Sequence, residues 1–89
     1  MPQYHEVLHV QHRERALYLL EQNVTLLVTE DTGYAQLRAR LRPKWKLGSA
    51  IPVGYQVLDE ATLEVVATRK TPKGALDAAD KYVAGEKVR

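Results

Sequence analysis

Five cations and no acid stand in the nine residues "RARLRPKWK", positions 38–46. Arg38, Arg40 and Arg42 alternate with Ala39 and Leu41, and side chains two apart on a strand share a face at a spacing of about 6.7 Å. Such a row presents guanidinium groups whose planar fork of donors suits phosphate oxygens. Lys44 and Lys46 extend the row with Trp45 between them. Cations that follow a backbone, interleaved with a ring that stacks on a base, suit single-stranded nucleic acids. Arg69, Lys70 and Lys73 form a second cluster at the entrance to the last expected helix, whose N-terminus itself attracts anions. These nine residues are the candidate nucleic-acid-binding set. The competing reading is that the charges keep an open sheet face and edge from pairing with other chains. In a chain without Phe, Trp45 is then expected to fold back as the missing core aromatic.

Other chemistry is thinly represented. His5, His9 and His12 would share one side of a helix, where zinc would interest them. On a strand only His5 and His9 share a face, about 13 Å apart and too far for one ion. No carboxylate or thiol stands at ligand spacing beside them, so they read as ordinary surface or packing histidines, with no metal expected. Asp77 and Asp80 could pair as carboxylates, but Asp77 is also four before Lys81, the usual pairing on a solvent-facing helix side. Ser49 is the only serine and lies in no nucleophile-elbow pattern. "GSAIPVG" lacks the Lys-Ser/Thr ending and following helix of a phosphate loop. Without cysteine there is no disulfide, thiolate metal site or Cys nucleophile. A non-enzymatic protein without a cofactor is expected.

At 89 residues the chain reads as one small domain, which hides only about two thirds of its unfolded surface. Its 45% hydrophobic content favours a folded globule over a disordered tail. No apolar stretch approaches the roughly 20 residues of a membrane span, and "MPQYHEVLHV" lacks a signal peptide's basic head and long apolar core. A cytoplasmic location with no membrane partner is expected. The net charge of +2 is uneven: residues 1–34 carry −3, residues 35–46 carry +5, and the remainder balances. Partners are therefore to be judged by the basic segment.

The elements that must position this segment follow from pattern and turn chemistry. "YHEVLHV" alternates as a short strand, and Ala16, Leu17 and Leu20 mark one face of a helix from Arg13 to Gln22, with Asn23 at a left-handed C-cap. Residues 24–29 are rich in Val and Thr and form a strand. "EDTG" then places Gly33 at a positive-φ bulge of a hairpin turn. Residues 34–42 have helical propensity, yet Ala35, Leu37, Ala39 and Leu41 alternate strictly with Gln36, Arg38, Arg40 and Arg42, which favours a strand. Pro43 ends that strand, and residues 43–54 carry loop chemistry. A loop of that length in a small domain is often functional. "YQVLDEATLEVVATRK" reads as a second hairpin turning at Asp59–Thr62. Thr71 caps a last helix, Pro72 opens it, Ala75, Leu76, Ala79 and Val83 form its apolar face, and Gly85 ends it. The expected fold is α+β, order (β)αββββα: an antiparallel sheet of about four strands with two helices on one face. The arginines stand on the open face.

The tail "TRKTPKGALDAADKYV" after a sheet resembles the strand-to-helix junction of double-stranded RNA-binding domains, and residues 55–84 resemble the sheet-plus-helix of integrase arm-binding domains. Pro72 and Gly74 stand where the first family prefers lysines. The resemblance implies a fold-level analogy and transfers no site residue. The expected function is binding of DNA or RNA through the basic strand and loop. The alternative is a small accessory or inhibitor protein, of a kind carried by mobile elements, that sets the same stripe against an acidic protein surface.

Overall fold

The computed structural model describes residues 2–5, 13–30 and 38–86. Strand β1 (Pro2–His5) is followed by helix α1 (Arg13–Glu21), strands β2 (Leu26–Glu30), β3 (Arg38–Lys44), β4 (Gly54–Asp59) and β5 (Val65–Arg69), and helix α2 (Pro72–Val83). The five strands form one antiparallel sheet in the order β1-β2-β3-β4-β5. The α+β fold and the element order are those expected, with β1 as the extra edge strand. That edge strand is described at Pro2–His5, and the remainder of "YHEVLHV" after His5 lies outside the described residues, as do His9, His12, Gly33 and residues 35–37.

Alternation decides which sheet face is buried. Leu26 and Val28 on β2, Ala39 and Leu41 on β3, Val57 on β4 and Ala67 on β5 point to one side and meet the helices. Helix α2 crosses this face over β2 to β5, and α1 packs beside α2. The small Ala75, Ala78 and Ala79 let α2 approach the sheet, while Leu76 fills the space between. From α1, Ala16 and Leu20 bury fully, as expected, and Leu19 joins them. Each fully buried leucine contributes on the order of 2 kcal/mol.

The helix ends follow local chemistry. Thr71 Oγ1 accepts from the Gly74 N–H at 3.1 Å, and Pro72 occupies the first turn. Gly85 (φ 84°) closes α2 as its N–H donates to the Tyr82 carbonyl at 3.0 Å and the Glu86 N–H reaches the Lys81 carbonyl at 2.9 Å. The end of α1 repeats this arrangement with Asn23 (φ 65°), whose N–H donates to the Leu20 carbonyl at 2.9 Å while the Val24 N–H donates to that of Leu19 at 3.0 Å.

Two of the boundaries that differ from expectation bear on the central strands. Strand β2 begins at Leu26 rather than residue 24, because the α1 cap consumes Asn23 and Val24. Strand β3 passes through Pro43 to Lys44 instead of ending there. The Arg38 carbonyl accepts from Glu60 N–H and that of Lys44 from Val53 N–H, both at 2.9 Å, so even-numbered residues bond towards β4. The backbone of Pro43 faces the β2 side, where the ladder has ended at Leu26–Leu41. Its missing donor therefore costs no ladder bond.

Candidate nucleic-acid interface

The three arginines share the helix-free face, but their environments differ. Arg38 is exposed at the start of β3, opposite Thr29. Arg40 forks onto Glu60, with Nε 2.8 Å from Oε2 and Nη2 2.7 Å from Oε1. That hydrogen bond raises the Arg40 pKa and lowers that of Glu60. The middle charge of the row is thus neutralised within the chain, a partner the alternation pattern did not reveal. Arg40 also lies in register between Leu27 and Leu58, with Val65 beyond. Leu58 belongs to this face and is only 1% exposed. Arg42 is exposed, and its Nε donates to Gln56 Oε1 at 3.2 Å.

Beyond Arg42 the sheet brings the two sequence clusters together. Lys44 on β3 pairs with Gly54 on β4, and Tyr55 pairs with Arg69 at the end of β5. Lys70 directly follows that pair, so Lys44 and Lys70 lie about two strand spacings, or about 10 Å, apart. Gly54 permits this juncture: a Cβ there would meet the Arg69 carbonyl oxygen at 3.0 Å. The α2 N-terminus, carrying Lys73, starts at the same end, and its dipole adds positive potential. Residues 42–54 and 69–76 hold six cations and no carboxylate. Among the described residues, no carboxylate pairs with Arg42, Lys44, Lys46, Lys70 or Lys73. Arg69 is half-buried, and its Nη1 donates to the Thr68 carbonyl at 2.8 Å.

Trp45 does not fold back into the core. It is 49% exposed in the β3–β4 loop, beside Leu47, Ile51 and Val53, which are also exposed. Tyr55 on β4 is the buried aromatic instead, packed with the alanines, leucines and valines of the helix–sheet core. The loop is held by its own bonds. Ser49 N–H donates to the Lys46 carbonyl at 3.0 Å with Gly48 at φ 80°, a type II turn that sets Leu47 at its corner. Ser49 Oγ donates to the Ile51 carbonyl at 2.7 Å, and the Val53 N–H closes the base on Lys44. Apolar residues in a Gly- and Pro-punctuated segment without strand or helix period were the available clue to this exposed set.

At the opposite end of the sheet two acids, Asp59 and Glu60, are engaged within the chain. Asp59 Oδ1 accepts from the N–H groups of Ala61 at 2.8 Å and Thr62 at 3.1 Å, while Oδ2 accepts from the Tyr82 hydroxyl. The Tyr82 bond, then the two backbone donors, hold the Asp59 pKa below its usual value. The same contact pushes Tyr82 up to about 12. The expected Asp77–Lys81 pairing is superseded: Arg13 of α1 reaches both Asp77 and Asp80, the latter at 2.8 Å, and ties the two helices together. No group of three metal-ligating side chains occurs among the described residues, and no helix among them is long and apolar enough to cross a membrane.

No protein-family model, curated protein or solved structure significantly matches the chain.

Proposed function

We propose that this is a non-catalytic nucleic-acid-binding protein whose interface is the basic end of the sheet. One observation carries the reading: register brings Arg42 and Lys44 to the sheet end where Lys70 and Lys73 stand at the start of the last helix, with Lys46 and the exposed Trp45 on the adjoining loop, and no described carboxylate pairs with these cations. The centre of the interface moves from the arginine row towards the loop and the α2 entrance, because Arg40 is engaged by Glu60. Arg38 and Arg40 lie towards the acidic end and make a smaller contribution, and Arg69 shapes the juncture. Phosphates dominate such binding, with released counterions giving a steep dependence on salt.

Fluorescence anisotropy of a labelled oligonucleotide across a salt series tests this. Engagement of about five phosphates gives a log K against log salt slope of about −3.5 for a single strand, and each Lys→Gln change at positions 44, 46, 70 or 73 flattens it by about 0.7. Absence of measurable affinity for DNA and RNA at low salt would contradict the reading. Binding to an acidic protein, lost in the same variants, would then support an accessory protein that engages a protein partner.

A further inference from the structure

The cations account for phosphate contact but not for the apolar side chains set among them. Leu47 is fully exposed and Ile51 is 71% exposed, on the same loop as Trp45 and Val53. Single exposed apolar residues are ordinary, whereas four on one short loop mark a candidate contact surface. The loop's own hydrogen bonds hold this group in place: the type II turn fixes Leu47 and the Ser49–Ile51 contact fixes Ile51. Lys44 and Lys46 flank Trp45 in the sequence. A second copy of the chain is a poor occupant, because docking loop to loop would bring like charges together.

On a polyanion, aliphatic side chains gain nothing from phosphates and cannot hydrogen-bond to base edges. Sugars and thymine methyls offer them only small apolar patches, whereas base faces offer the largest apolar area, and base faces are accessible where the stack is open. Insertion into an intact duplex must pay for unstacking, whereas a single strand or gap has already lost that stacking. Resting on the nucleic-acid reading above, we infer that the β3–β4 loop is a wedge for unstacked bases. The protein selects nucleic acid by structure: single strands and gapped duplexes over perfect duplex, with little sequence preference. Trp45 stacks, Leu47 and Ile51 cover the adjoining base face, and Lys44 and Lys46 hold the flanking phosphates.

The test compares a single strand, the corresponding perfect duplex and the same duplex with a short central gap, each titrated into the parent and into Leu47→Ser/Ile51→Ser. Both substituted residues are exposed, so the fold is retained. The parent should bind the single strand and gapped duplex about tenfold or more tightly than the perfect duplex. The sole tryptophan should be quenched by the first two. The double variant should lose about tenfold on those ligands, change little on the duplex, and keep its salt slope, since no charge is altered. Equal parent affinity for all three ligands would overturn the wedge while leaving the basic interface in place. So would discrimination that survives in the double variant. Absence of affinity for any of the three at low salt would overturn both.

Discussion

The two ends of the sheet handle charge in opposite ways. At the β4–β5 turn, two of the three acids find partners within the chain: Asp59 takes Tyr82 and two backbone donors, and Glu60 takes Arg40, while Glu64 is exposed. At the other end, Arg42, Lys44, Lys46, Lys70 and Lys73 have no carboxylate partner among the described residues, and apolar side chains stand exposed among them. Charge that is satisfied internally serves the fold. Charge gathered in one place and left unsatisfied is, on the proposed reading, available to a partner.

The largest effect that sharpens this contrast is on binding. Arg42→Gln with Lys44→Gln, Lys46→Gln and Lys70→Gln should weaken oligonucleotide affinity about a hundredfold or more at low salt, while stability in a denaturant melt moves by no more than about 0.5 kcal/mol per substitution. Arg38→Gln with Arg40→Gln should weaken affinity far less in the same assay. Equal losses from the two sets would erase the distinction between the ends.

Next comes Gly54, whose lack of a side chain lets β4 and β5 close beneath the two basic clusters. Gly54→Ala should cost on the order of 1 to 3 kcal/mol, because the new Cβ would press on the Arg69 carbonyl at 3.0 Å. Chemical denaturation measures this, and an unchanged midpoint would show that the juncture has slack.

At the acidic end, Tyr82→Phe should cost about 1 kcal/mol at neutral pH through loss of the bond to Asp59. The sign of the pH dependence follows from the shifts. The Asp59 and Glu60 pKa values are lowered on folding, so their stabilisation is present above the unfolded carboxylate range near about pH 4 and is lost as pH falls through the folded values. Tyr82 is raised to about 12, so its contribution is full below about pH 10 and disappears as pH rises towards the folded value. Melts at several pH values should show the difference between parent and Tyr82→Phe shrinking at both extremes. The smallest effect is that of Arg13→Gln, which removes the bridge from α1 to Asp77 and Asp80 and should cost at most about 1 kcal/mol at this partly exposed site.

What the sequence disclosed depended on whether the governing interaction was local. Thr71, Pro72, Asn23 and Gly85 each announce a helix end through bonds reaching only a few residues, and the Ala39/Leu41 alternation was enough to choose strand over helix for residues 38–42. The Arg40–Glu60 pair, the Arg13 bridge and the meeting of Lys44 with Lys70 are set by cross-strand register or helix packing, with partners 20, 64 and 67, and 26 residues apart. No local pattern encodes them. Trp45 misled for a related reason: composition made it the natural core aromatic, whereas Tyr55 takes that place, packed with the alanines, leucines and valines of the helix–sheet core.

The central claim is that the basic end, rather than the arginine row as a whole, meets nucleic acid. Backbone amide chemical-shift mapping with a single-stranded oligonucleotide at low salt tests it directly. The predicted map has its largest changes in residues 42–54 and 69–74, with little change at residues 59–64. Changes centred on the Arg38–Glu60 end or on the helices, or no changes at saturating oligonucleotide, would contradict it.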